Sequence, residues 1–109
     1  MNINVYNRRQ LKLMIEKIDR FKTKLLSLGS LINDLEALLD ILEEMDSDWV
    51  ASVRKHWLDL EIVYAVALAD DREYLEDKDI VIIDEAITNI LILIHKKLPP
   101  ESEEDFEDQ

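Results

Sequence analysis

Apolar and polar positions follow one another with helical spacing in four successive blocks of this chain. In residues 7–28 the apolar set is Leu11, Met14, Ile15, Ile18, Phe21, Leu25 and Leu28, while Arg8, Lys12, Lys17, Arg20, Lys22 and Lys24 fill the remainder. Steps of three and four place such residues on one helical face. Asn7 and Gln10 have the spacing of a capping box, with Asn4 as the competing cap. Gly29, the only glycine, stands where a left-handed helix terminus is wanted, and Ser30 follows as an N-cap for the next block. That block, residues 31–45, turns Leu31, Ile32, Leu35, Leu38, Leu39 and Leu42 inward and Asp34, Glu36, Asp40, Glu43 and Glu44 outward.

The third block, residues 47–70, carries both tryptophans and reads as the spine of the fold. Trp49, Val53, Trp57, Leu60, Tyr64, Ala67 and Leu68 keep the rhythm of one face, and aromatics of that size bury on the order of 150–250 Å² each. Asp46, Ser47 and Asp48 form a polar break that offers N-caps to it, and so tight a connection predicts antiparallel neighbours. Residues 69–74 lack apolar periodicity and predict a loop, with Leu75 as a staple residue before a last helix over 77–98. Asp77 and Asp79 then lie at the positive end of its dipole, and Lys96 and Lys97 at the negative end. Its β-branched run from Ile80 to Ile83 resembles a strand. Helix is nevertheless predicted, because Ile80, Ile83, Ile87, Ile90, Leu91 and Ile94 hold a 3.6 period and no turn signal divides them. Ile82 and Leu93 fall off that face, as a widened buried stripe or an oligomer contact.

The expected fold class is therefore all-α, an antiparallel four-helix bundle over residues 1–98. Pro99 and Pro100 end the last helix, and residues 99–109 have too little apolar content to repay ordering, so an acidic disordered tail is expected there. Phe106 is the one aromatic in it, read either as part of that disorder or as a short linear anchor.

Composition narrows the function. A length of 109 residues fits one domain. Without cysteine there is no disulfide or thiolate chemistry, which fits a reducing compartment, and no apolar run reaches the roughly 18 residues of a membrane span. A cytoplasmic protein is expected. The net charge of −12 argues against binding nucleic acid through its phosphates and favours a basic partner. The charge is uneven: residues 8–24 hold seven bases and two acids, residues 33–48 seven acids and no base, and the tail six acids.

Catalytic signatures are missing. His56 and His95 sit on separate helices beside basic residues, and neither follows a Glu at the E-x-x-H spacing of di-iron bundles. Glu36, Asp40 and Glu44 share a helical face but read as solvated, and Glu44, Asp46 and Asp48 fail as a calcium loop for want of the glycine and the closing Glu. Glu73 and Glu76 have the E-x-x-E spacing of helical nucleotide pyrophosphohydrolases, but no E-x-x-D follows on the last helix. No phosphate loop, nucleophile elbow or Cys/His pair appears. No enzyme activity, metal or cofactor is expected.

The stretch LINDLEALLDILEEMDSDWVASVRKHWLDLEIVYAVAL, residues 31–68, with Trp49, Trp57, Leu60, Glu61, Tyr64 and Ala65, resembles small acidic all-helical bacterial toxin-immunity proteins. The resemblance implies an inhibitor that neutralises a basic toxin domain, a nuclease being one such partner. Charge and position nominate the contact residues: Asp34, Asp40, Glu43, Glu44, Asp46 and Asp48 on and after the second helix, Asp70, Asp71 and Glu73 on the later loop, and Trp49 and Tyr74 as aromatic anchors. Two other readings stand beside it: a homo-oligomeric adaptor, possible as a homodimer through Ile82 and Leu93, and a diverged helical nucleotide hydrolase that magnesium would stabilise.

Overall fold

A computed structural model describes residues 3–72 and 74–98, so the tail at 99–109, Phe106 within it, and Glu73 lie outside the described residues. Four helices account for most of the described chain: α1 (Val5–Lys22), α2 (Leu28–Asp40), α3 (Ser47–Ala69) and α4 (Asp77–Lys97). No strand occurs among the described residues, so the isoleucine run of α4 is helical as its period predicts.

Long-range bonds set the directions of the helices. Asn7 near the start of α1 bonds the backbone of Glu43 just beyond α2. Arg54 in α3 pairs with Asp40 at the end of α2, and the Trp57 indole N–H donates to the Ile32 carbonyl at 2.8 Å. Trp49, at the start of α3, donates in the same way to the Leu93 carbonyl near the end of α4, also at 2.8 Å. Each helix therefore runs antiparallel to its chain neighbour and packs on it, whereas α1 and α4 touch only lightly. The result is an elongated bundle of 49 × 28 × 19 Å.

The core is the predicted one at most positions. Leu11, Met14 and Ile18 of α1, Leu31 and Leu35 of α2, Val53 and Leu60 of α3, and Ile83, Ile87, Ile90 and Ile94 of α4 are fully buried. Burying such an aliphatic side chain stabilises by about 1.5–3 kcal/mol. On α3, however, Val63 takes the core place expected for Tyr64, and Leu68 is 61% exposed. On α4, Ala86 is buried while Ile80 and Ile82 are exposed, and Leu93 packs half-buried against the core.

Helix boundaries depart from expectation at three points. Asn4, not Asn7, caps α1, accepting from the Asn7 backbone N–H at 2.6 Å, because Asn7 is needed elsewhere. The helix ends at Lys22 through a Schellman turn: Lys24 takes φ 65°, its N–H bonds the Phe21 carbonyl at 3.0 Å, and the Leu25 N–H bonds that of Arg20 at 2.7 Å. The left-handed residue is thus Lys24 and not Gly29. Gly29 lies in the first turn of α2, which Ser27 caps by accepting from the Ser30 N–H at 3.2 Å. What the glycine supplies is room, since a Cβ there would stand 2.8 Å from the Tyr64 hydroxyl. Finally α2 stops at Asp40, so Glu36, Asp40 and Glu44 do not continue along one helical face.

Candidate partner-binding surfaces

Apart from Asp34, in the middle of α2, the nominated residues of the described chain fall at opposite ends of α3, whose 23 residues span about 34 Å. At its start, residues 41–46 connect α2 to α3. The buried Asn7 side chain grips this loop at two points, donating from Nδ2 to the Glu43 carbonyl at 2.6 Å and accepting at Oδ1 from the Glu43 N–H at 2.9 Å. A primary amide matches one residue's backbone donor and acceptor together, which explains why Asn occupies this position. Glu44 then adopts φ 54°, a left-handed conformation that non-glycine residues hold at a cost of about 1–2 kcal/mol. Leu42 and Met45 pack half-buried against the core, and Asp46 caps α3 by accepting from the Asp48 N–H at 3.0 Å.

The carboxylates of Glu43, Glu44, Asp46 and Asp48 all belong to exposed residues, and among the described residues none of the four has an ion-pair partner. Asp40 and Asp34 differ, the first paired with Arg54 and the second 3.5 Å from the Lys17 ammonium. Trp49 is a correction: at 6% exposure, with its indole N–H on the Leu93 carbonyl, it belongs to the core and offers no surface anchor.

The other end, residues 70–76, is built from charge. The α3 terminus repeats the Schellman turn, with Asp71 at φ 56° and the Arg72 N–H on the Ala67 carbonyl at 3.0 Å. That turn carries Arg72 inward, where its Nη1 donates to Asp79 Oδ2 at 2.7 Å and lies 3.4 Å from Glu76 Oε1. Its Nε is 3.5 Å from Asp70 Oδ2 without forming a hydrogen bond. The same Asp79 oxygen accepts from the Glu76 N–H at 3.0 Å, capping α4. The bond from Arg72, then that from the Glu76 backbone, holds the Asp79 carboxyl below its ordinary range, and the bond to Asp79 raises the Arg72 guanidinium. Of the nominated residues here, Asp70, Asp71 and Tyr74 are exposed, Tyr74 at 68%.

Sequence reasoning took Asp79 for a dipole residue and did not single out Arg72. The available signal was the Glu76 to Asp79 capping spacing, with Arg72 as the one base among residues 70–77. His56 is half-buried on α3 and His95 exposed on α4, and among the described residues no three His, Cys, Asp or Glu side chains group as metal ligands.

These features define an all-α four-helix bundle with an unpaired acidic loop at one end and a charge-knotted loop at the other. No family model matches the chain, and comparison with curated proteins and solved structures also finds no match. No described helix is long and apolar enough to cross a membrane.

Proposed function

We propose that the protein is an immunity-type inhibitor that binds and neutralises a basic toxin domain, docking through the end of the bundle formed by residues 41–48. The observation that carries this reading is the Asn7 grip on Glu43, which fixes an end of the bundle where, among the described residues, the carboxylates of Glu43, Glu44, Asp46 and Asp48 have no ion-pair partner. A loop already ordered loses little entropy on binding, and unpaired acids accelerate encounter with a basic surface. A nuclease suits the description, because a cleft that binds phosphates must be basic and an acidic end can cover it. In this reading the protein acts in the cytoplasm of the cell that makes the toxin.

The test starts from the neighbouring gene encoding a toxin with a small basic terminal domain. Association of that domain with wild-type protein and with a Glu43→Lys, Glu44→Lys, Asp48→Lys triple variant is followed by stopped flow. The variant should associate more than tenfold slower at low salt, with the gap shrinking as salt rises. Equal rates would remove this end from the interface, and failure of the wild type to bind or protect against the domain would sink the reading.

A second reading, homo-oligomerisation, is favoured by one feature. Leu58, Ile62, Ala65 and Ala69 are exposed on α3 at heptad-like steps of four, three and four, with Val66 beside them. A dimer through that face would sediment as such at micromolar concentration and fall apart in Ile62→Glu. A monomer at about 100 µM would exclude it.

A further inference from the structure

Between the α1–α2 connection and the far end of α3 lies an open groove of about 700 Å³, within the range of roughly 300–1,000 Å³ seen for small-molecule sites. Three of the most exposed apolar side chains of the described surface, Leu25, Leu68 and Tyr74, converge on it, together with Tyr64. Exposed apolar residues scattered singly mean little, but converging ones mark a binding surface. The only glycine of the chain stands against Tyr64, leaving its ring the room it occupies in the groove wall.

The polar lining is just as specific. Lys22 and Lys24 stand on the α1 side, and among the described residues neither has an ion-pair partner, although the protein carries a net charge of −12. Arg72 lines the opposite side with its charge taken up by Asp79 and Glu76, and its Nε is the only buried side-chain polar atom of the described residues that lacks a hydrogen-bond partner. Asp84, on α4, is the one acid in the lining among the described residues. Two free ammonium groups disfavour a cation, and the acids around the α3–α4 loop disfavour a multiply charged anion.

We propose that this groove binds an amphipathic monoanion, a carboxylate with an aliphatic or aryl body. The body lies among Leu25, Tyr64, Leu68 and Tyr74, and the carboxylate meets Lys22 and Lys24. The inference does not depend on the toxin partner.

The experiment titrates ¹⁵N-labelled full-length protein with decanoate below its micelle-forming concentration, with decylamine and decanol in parallel. Decanoate should give saturable one-site shifts centred on the amides of Leu25, Gly29, Tyr64, Leu68 and Tyr74, and decylamine should bind at least about tenfold more weakly. Lys22→Gln with Lys24→Gln should weaken decanoate about tenfold and leave decanol unchanged. Leu68→Lys, at an exposed position that leaves the core intact, should weaken both. Equal binding of the amine, shifts spread through the core, or the absence of saturation would overturn the proposal. So would finding the same residues covered by a second copy of the chain, or by the basic toxin domain, with no carboxylate binding.

Discussion

The two loops that flank α3 solve one problem with different chemistry. Each must reverse the chain beside many acids, and each contains a non-glycine residue in the left-handed region, Glu44 in one and Asp71 in the other. The loop at 41–46 is held by neutral bonds between the Asn7 amide and the Glu43 backbone. The loop at 70–76 is held by Arg72, which gathers Asp70, Glu76 and Asp79 around one guanidinium. Neutral fastening leaves the carboxylates of the first loop facing water and free to act on a partner. Ionic fastening turns Asp70, Glu76 and Asp79 of the second toward one guanidinium, which offsets a single negative charge. The number of acids in a segment therefore says little about how many of them lack an internal ion pair, and what holds the loop decides it.

The largest expected effect comes from removing the neutral fastening. Asn7→Ala deletes two hydrogen bonds and strands a partly buried backbone donor and acceptor, at a cost of about 2–3 kcal/mol in urea denaturation. The Glu43 amide should exchange with solvent far faster, while every charge of the loop is retained. If stability drops by less than about 0.5 kcal/mol, the loop is held by Leu42 and Met45 instead and the contrast collapses.

The second test reads the ionic end through pH. The Asp79 carboxyl is held below its ordinary value, so its contribution is fully present above the unfolded value of about 3.9 and is lost as pH falls through the lowered one. Wild type should exceed Asp79→Asn in stability at pH 7, and the gap should close on acidification below about pH 4. A gap that stays constant with pH would mean that Asp79 acts by shape and capping alone. Because the measurement is a difference between two variants, relief of general acidic repulsion cancels from it.

How far the chain could be read in advance follows the same division. Local physics was legible: four periodic blocks, the polar break at Asp46, and the acids and bases placed on the α4 dipole all describe the molecule as found. What was hidden depended on partners distant in sequence. Asn7 has cap-like spacing, and only the arrival of Glu43, 36 residues later, makes it a tertiary fastening. Tyr64 and Leu68 lie on the apolar side of α3 by period, but they fall beside the connection between α1 and α2, and so line a groove instead of the core. The same limit divides the candidate site. The acidic loop could be nominated from charge alone, whereas the burial of Trp49 and the inward turn of Arg72 required the neighbouring helices to be in place.

The smallest effect concerns Gly29, and it separates two explanations of the only glycine. A glycine kept for a left-handed terminus would make Gly29→Ala strongly destabilising, but the turn uses Lys24 and Gly29 is helical. A glycine kept for space predicts a conflict between two small terms. Alanine gains about 1 kcal/mol of helix propensity over glycine, less in a first turn. Against that, the new methyl meets the Tyr64 hydroxyl at 2.8 Å, at the far end of a half-exposed side chain that has room to swing aside. Gly29→Ala should therefore change stability by less than about 0.3 kcal/mol in the wild type and stabilise by about 0.5 kcal/mol or more, short of the full interior value, in a Tyr64→Ala background. The same pair should report on the groove, because displacing the Tyr64 ring alters its wall without touching Lys22 or Lys24. If the two changes add without coupling, Tyr64 does not occupy the space beside Gly29 in solution.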